Sequence, residues 1–249
     1  MNLKGISIEV EAISASFREA AGQLYHETLP LPPPSTLAGF AGAAMGKSFE
    51  ETLSFFKRYH IGVGCQGNYQ GKGRDLWNYE KIKSGGKSGT DIVIREFLYE
   101  FRGKLFYMCE DKEIAKELYN AFTAPYYGLT LGTSDDIAKL SKVTWHDDLK
   151  IGKSSEIDNT WIYGDQLSNL ELDWEKISKT PIAKTIKPAI VKLLPVDYTF
   201  ETDGARQACS YQTFTFLGDN QKPTNPVSVY FFDDTVVSLC YIFNEKGNE

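Results

Sequence analysis

The chain is poor in the residues that most often do chemistry. It has three histidines and four cysteines in 249 residues, and neither set is arranged as a site. His26, His60 and His146 are scattered, and no two of Cys65, Cys109, Cys209 and Cys240 stand closer than the 31 positions between the last pair. The short spacings of a zinc site or a redox pair are missing, so no metal is expected and the cysteines should be reduced and buried. Long hydrophobic runs are missing too. The opening MNLKGISIEVEAIS alternates apolar and polar residues, and no later stretch approaches the ~18 apolar residues of a spanning helix. A soluble, cytoplasmic protein with no membrane partner is expected. Nor is there a nucleotide cradle: GGKSG at 85–89 has the Lys-Ser pair but not the four-residue spacer of a P-loop, and the dinucleotide fingerprint is absent. No cofactor is implied.

A general excess of positive charge is also lacking. The net charge of −6 excludes a protein that coats nucleic acid over its whole surface, but an average can hide a local patch. Between Lys57 and Gly89, seven basic residues (Lys57, Arg58, Lys72, Arg74, Lys81, Lys83, Lys87) stand against two acidic ones (Asp75, Glu80). A second window, Lys176 to Val196, holds five lysines and no acid.

With 42% hydrophobic residues the chain can build an ordinary core. Residues 3–14 alternate as a half-buried strand, with a shift of phase near its start. Pro32, Pro33 and Pro34 then form a stiff lead into a helix that Ser35 or Thr36 can cap, with Leu37, Phe40, Ala41 and Ala44 on one face. The other face is Gly39, Gly42, Ala43 and Gly46, so a sheet, a partner or a ligand must come very close. A capping box from Ser48 to Glu51 opens a second helix that buries Phe49, Leu53 and Phe56 and gives way to the strand-like IGVGCQGNY. The glycines, cations and aromatics of GKGRDLWNYEKIKSGGKSG suggest a projecting loop. DIVIREFLYEF and KLFYMCE read as a hairpin turning at Arg102-Gly103. Asp111 caps a helix with Ile114, Ala115, Leu118, Tyr119 and Phe122 on its apolar face, and YYGLTLG supplies the next strand.

The order β, α, β, β, α, β predicts an α+β fold of the ferredoxin-like or RRM-like kind over residues 1–146. A projecting loop interrupts it at about 69–89, and a β-rich lobe follows over 147–249. In that lobe RQACSYQTFTFL is one strand, and VSVYFFDDTVVSLCYIF turns near Asp233-Asp234.

Candidate functional residues concentrate in the loop. Lysine and arginine there can meet phosphates, while Trp77, Tyr79 and Tyr69 offer flat faces for unpaired bases or fold the loop back onto the body. The lysines of the second window can form a patch or a solvated face. Arg18 in ASFRE can hold a phosphate or a carboxylate of its own chain. Asp135 and Asp136 can bind a metal, but adjacent carboxylates at a helix start more often satisfy its dipole.

Four strings in succession carry a resemblance: ASFREAAGQLYHETLPLPPPSTLAGFAGAAMG, GRDLWNYEKIK, IVIREFLYEFRGKLFYM and APYYGLTLGTSDD. Over roughly residues 1–140 the chain resembles CRISPR-associated protein 5 of the RAMP superfamily, most closely the versions in type I-B or type I-A Cascade complexes. The resemblance implies an RRM-like (RAMP) domain with a protruding thumb and a β-rich C-terminal lobe. It implies a non-catalytic subunit that binds the 5′ handle of the crRNA, caps the filament of Cascade backbone subunits and contacts the Cascade large subunit, near the PAM of the target DNA. Carried over by position, Arg18, Ser35 and Thr36 would line the handle, and Lys72, Arg74, Trp77 and Lys81 would be the thumb's RNA contacts. One branch of the family, in type I-C systems, cuts precursor crRNA without metal. Such an endoribonuclease needs a histidine, a tyrosine and a lysine to converge, for which Tyr25, His26 and Lys72 are the available groups.

Overall fold

The computed structural model describes residues 3–19, 22, 25–82, 88–181, 187–202 and 204–242. Strand β1 (Lys4–Ala15) follows the alternation of its sequence, burying Ile6, Ile8, Val10 and Ala12 on one face. Near its start the other face is covered as well. A Cβ on Gly5 would stand 2.6 Å from the Phe232 ring and 2.7 Å from Leu149, which explains the shift of phase there.

The proline lead places helix α1 (Pro34–Met45) slightly earlier than expected. Pro33 is the N-cap and no side chain caps it, so Ser35 and Thr36 lie inside the first turn and do not initiate it. Proline suits the first helical position because its φ is preset and its missing N–H would have had no helical partner. The close approach foreseen at the glycine face is made by the next helix, α2 (Phe49–Arg58): a Cβ on Gly42 would lie 2.1 Å from the Thr52 hydroxyl. The capping box is formed, with Ser48 accepting from the Glu51 amide and Glu51 accepting from the Ser48 amide.

Strands β2 (Tyr25–His26), β3 (Gly62–Asn68), β4 (Gly71–Ile82) and β5 (Ser88–Cys109) revise two expectations. The run from 71 is an ordered strand and not a loop, paired residue by residue from Gly71 opposite Tyr99 to Ile82 opposite Ser88. The turn at Arg102-Gly103 does not exist, because β5 runs straight through with Gly103 between Val10 of β1 and Gly67 of β3. A Cβ at Gly103 would stand 2.9 Å from the Phe101 ring, so the glycine makes room for an aromatic inside a strand. Asn68 lies opposite Arg102 and Gly71 opposite Tyr99, so β3 and β4 keep one register along β5 across their short break.

Asp111 caps helix α3 (Lys112–Thr123) as expected, accepting from the amides of Glu113 and Ile114. YYGLTLG forms no strand; β6 (Lys139–His146) takes that place. Nor does Asp135-Asp136 open a helix. The buried Asp136 carboxylate accepts from the hydroxyls of Ser14 (2.6 Å) and Ser16 (2.5 Å) and from the amide (3.0 Å) and hydroxyl of Thr133.

The four long strands lie side by side in the order β6-β1-β5-β3, each antiparallel to its neighbours. Ile6, Ile8 and Val10 of β1 share one buried cluster with Phe40, Phe56, Leu118 and Phe122 of the helices. Beyond β6 come β7 (Lys150–Ser154), β8 (Thr160–Tyr163), β9 (Leu170–Leu172), α4 (Trp174–Lys179), β10 (Ile190–Phe200), β11 (Arg206–Leu217), β12 (Gln221–Pro223), β13 (Val227–Phe232), β14 (Thr235–Val237) and β15 (Cys240–Tyr241). The strands foreseen in this half are present, and β13 and β14 turn at Asp233 and Asp234 as expected, with Asp233 at φ +52°. The sheet continues β3-β8-β11-β10, so Trp161, Leu194, Phe214 and Phe216 join the same core as the first half. The Thr160 hydroxyl fastens the junction by donating to the Cys65 carbonyl at 2.6 Å.

The expectation that the cysteines are buried holds for two of the four. Cys65 and Cys109 are buried, and burial pushes both thiols up; Cys240 is half-buried and Cys209 exposed. Among the described residues no group of three or more His, Cys, Asp or Glu could hold a metal ion, and no helix is long and apolar enough to cross a membrane.

Candidate nucleic-acid interface

Pairing between β1 and β5 ends at Ala15 opposite Leu98, so β4 and the first part of β5 leave the sheet together as a two-stranded arm. Among the described residues only the short β2 joins them, running parallel to β5 with Tyr25 beside Ile94 and His26 beside Arg95. Side chains alternate across a strand, so the register sorts the arm into two faces.

One face gathers around Glu96, whose side chain is 8% exposed. Its carboxylate accepts from the Tyr25 hydroxyl, from Lys72 Nζ at 3.2 Å, from the Thr28 amide at 3.4 Å and from Arg74 Nη2 at 3.5 Å. Burial works to push this carboxyl up, but the Tyr25 hydroxyl and the Lys72 ammonium outweigh it and hold it below the usual glutamate range. The same bond pushes the Tyr25 phenol up. Lys72 also donates to the Thr28 carbonyl at 3.1 Å and is thereby tied to its own chain. Arg74 is 70% exposed and bound only at the limit of distance, so it can turn outward.

The opposite face carries Asp75, Trp77 and Arg95. Arg95 grips Asp75 with two bonds, Nε to Oδ1 at 3.1 Å and Nη2 to Oδ2 at 2.6 Å. That grip raises the hold on its proton and sets the guanidinium 5.2 Å from the Trp77 ring centre. Trp77 remains 46% exposed, with Tyr79 at 6.0 Å and His26 at 6.4 Å between ring centres. Partial burial lowers the affinity of His26 for a proton, and the charges of Arg18 and Arg95 lower it further, so the imidazole is neutral near pH 7. Arg18 is exposed and donates to the Gly22 carbonyl at 3.1 Å. A flat aromatic ring flanked by a fixed guanidinium and a neutral imidazole, on which the charge of Arg18 also acts, can stack a base and meet its phosphate.

The candidate residues are thus only partly brought together. Trp77 and Arg18 belong to one neighbourhood, Lys72 and Arg74 to the other face. Ser35 is buried and Thr36 half-buried at the start of α1, apart from the arm. Lys81 pairs with Gly89 near the arm's end, but its side chain lies outside the described residues, as do Lys83 and Gly85, Gly86 and Lys87 of GGKSG. Tyr25 and Lys72 meet at Glu96, while His26 projects from the other face of the arm, so the three groups named for cleavage do not converge. Tyr69 is not a free platform either, since Lys187 Nζ sits 3.7 Å from its ring centre. Lys184 of the second window lies outside the described residues, and the window's other lysines are individually tied: Lys176 to Asp158 (2.8 Å), Lys179 to Glu175 (2.6 Å), Lys187 to the Tyr69 carbonyl (3.3 Å) and Lys192 to Glu19 (2.6 Å). Arg95 escaped the sequence reading because it stands outside the basic window. Its opposition to Asp75 appears only once β4 is known to be a strand.

The helix-free face of the sheet differs in kind. Its groove of about 470 Å³ is lined by Glu9, Glu11, Gln66, Arg102 and Lys104, and no aromatic side chain lines it among the described residues. Lys104 is matched to Glu9 at 3.5 Å, and outside the groove Lys139 is matched to Glu11 at 2.6 Å.

The CRISPR-associated protein (Cas_Cas5) family matches residues 5–187. The chain belongs to this family. No curated protein matches it in sequence. Among solved structures, this Cas_Cas5 chain is similar to a chain of a "CRISPR RNA-guided surveillance complex", with a TM-score of 0.51 at 12% identity, covering 89% of this chain and 91% of that one. At that identity the likeness is one of fold. A chain of the Type III-B Cmr-beta complex bound to cognate target RNA and AMPPnP aligns at TM-score 0.40 and 14% identity, over 89% and 86% of the two chains. A Cas protein known from its crystal structure aligns at TM-score 0.36 and 17% identity over 53% of this chain, which spans 58% of that protein's length.

Proposed function

We propose that this chain is a non-catalytic subunit of a type I CRISPR effector complex, where it holds the 5′ handle of the crRNA, caps the filament of backbone subunits and contacts the large subunit near the target DNA. Membership of the Cas_Cas5 family supports a place in such a complex. The sheet order β6-β1-β5-β3, with helices in the two crossovers, supports a ferredoxin-like or RRM-like core, in which the two-stranded arm would serve as the thumb. The observation that carries the reading is the half-exposed Trp77 beside Arg95, with Arg18 and the neutral His26 in reach.

RNA is read here from the arm and not from the sheet face. RRM-like sheets bind bases through aromatic side chains, and the helix-free groove offers carboxylates in their place. A local site also removes the objection of an acidic chain, because neighbouring subunits share the RNA's charge.

Co-purification with the backbone subunits and a labelled precursor crRNA, in the presence of chelator, tests the reading. The complex should retain uncleaved or externally processed RNA. Trp77→Ala should weaken retention by about 1–3 kcal/mol, the range for one stacked base. Arg18→Ala should weaken it too and flatten the salt dependence by about 0.7 per lost phosphate contact. His26→Ala should leave the RNA's length unchanged. A discrete product made by the protein alone and lost in His26→Ala would overturn this reading in favour of a metal-independent endoribonuclease.

A further inference from the structure

The sequence YYGLTLG reads as a strand, and the structure makes its first residues the wall of a groove. Tyr126 and Tyr127 are 71% and 55% exposed, packed edge to face at 4.7 Å. With Tyr119 and Phe122 of α3 and Leu140 and Val143 of β6 they line a groove of about 580 Å³. The groove runs along a margin of the main sheet. Among the described residues, β6 pairs with β1 on one side and its backbone bonds to nothing on the other.

An open strand edge is a hazard that proteins usually blunt, and the other end of the sheet shows how. There β10 carries Pro195 and breaks register on both sides of Asp197. β6 contains no proline. Its one irregularity, where Glu9 faces Lys142 and Val10 faces Leu140, leaves Ser141 as an extra residue. That bulge sets both Leu140 and Val143 toward the helix side, where they pack on the core beside Tyr119 and Trp145. The irregularity therefore builds the groove wall and leaves Lys142–His146 in regular extended form.

We propose that this edge and groove form a docking site for an extended segment of a partner polypeptide, which adds to β6 as an antiparallel or parallel strand. Unpaired backbone N–H and C=O groups along an edge are satisfied by another backbone in extended form, which selects a peptide over a nucleic-acid strand. Alternate side chains of that segment fall into the groove, whose walls are aromatic and aliphatic, so they are apolar. Lys142 is the one charged side chain among those lining the groove, and it favours an acidic residue on the segment's other face. The inference is independent of where the arm binds RNA.

The probe is a labelled peptide, Thr-Val-Glu-Phe-Glu-Val-Thr, titrated against the full chain by fluorescence anisotropy. Controls are its lysine-for-glutamate version, a version N-methylated at alternate amides, and a labelled oligouridylate. Saturable binding of the first peptide is expected, weakened about 10-fold or more by Tyr127→Ala and reversed in charge preference by Lys142→Glu. Methylation of the amides that face β6 should abolish it. Retention of RNA by the Tyr127→Ala protein in the co-purification above, together with an unchanged circular dichroism spectrum, shows that the variant is folded. Peptide binding that ignores Tyr127→Ala and Lys142→Glu would overturn the proposal. So would oligouridylate binding that depends on Tyr127 while the peptide does not bind, which would make the surface a nucleic-acid site.

Discussion

Glu96 offers the sharpest test of how the arm is held. It is the buried acceptor on which β2 and β4 converge, and β2 has only two paired residues of its own. Replacing Glu96 by glutamine keeps the shape and removes the charge. Two of its four contacts carry the effect, those from Tyr25 and from Lys72 at 3.2 Å. The Thr28 amide at 3.4 Å is long, and Arg74, 70% exposed, is screened by solvent and adds little. Lys72 keeps the Thr28 carbonyl in the variant. A hydrogen bond to a charged group is worth about 1.5–3 kcal/mol when intact, so partial loss in Glu96→Gln should cost about 1–2 kcal/mol. That cost falls on local opening of the arm and not on global unfolding, because the contacts tie peripheral elements. Hydrogen exchange should therefore be faster by about 5- to 30-fold in peptides covering Tyr25–Thr28 and unchanged in β1 and β3. The effect must also depend on pH. A carboxyl held below its ordinary value of 4.5 stabilises the fold above that value and loses the contribution as pH falls through the depressed one. The difference between the two proteins should be full at pH 7 and should close as the solution is acidified below 4.5. Unchanged exchange at Tyr25–Thr28, or a rise matched equally in β1, would refute the argument.

Asp136→Ala should be more damaging globally, by about 1–3 kcal/mol in urea unfolding, because it removes a buried carboxylate and strands the half-buried Ser14, Ser16 and Thr133 donors around it. Gly64→Ala should cost about 1–3 kcal/mol, since its Cβ would stand 2.6 Å from the Ser238 carbonyl oxygen and would push β15 away from β3. A thiol reagent added to the folded protein at pH 8 should modify Cys209 quickly, while Cys240, pushed up to about 12 by burial, and the buried Cys65 react only on unfolding. Mass spectrometry of tryptic peptides reads the order directly.

What the sequence reveals and what it hides follow from one physical difference. Elements with one buried face announce themselves: Ile6, Ile8 and Val10 alternate, and the Ser48 capping box is local. The arm has no such face. Lys72, Arg74 and Leu76 stand on one side of β4 and Asp75, Trp77 and Tyr79 on the other, both largely solvated, so a strand there has the composition of a loop. β5 is hidden for the opposite reason. Gly103 resembles a turn but sits mid-strand, because Phe101 fills the space a side chain would need. YYGLTLG has strand-forming residues, yet Gly132 at φ +138° and the Asp136 loop turn the chain back on itself after a single bridge between Thr130 and Ile137.

The same alternation gives the arm a division of labour. Glu96 neutralises Lys72, which also donates to the Thr28 carbonyl, so a cation that looks available in the sequence serves to fix the arm beside β2. On the other face Asp75 aligns Arg95 without covering Trp77, and partial burial, with the charges of Arg18 and Arg95, keeps the His26 ring uncharged. A surface that must stack bases needs an aromatic plane held still and left open, because an aromatic that first has to be ordered loses part of its stacking energy. The Glu96 side supplies the stillness and the Trp77 side the open plane. It follows that loosening the first face should weaken RNA binding even though no residue there touches a base. Glu96→Gln should lower affinity by less than Trp77→Ala and should show no loss beyond Trp77→Ala when the two are combined.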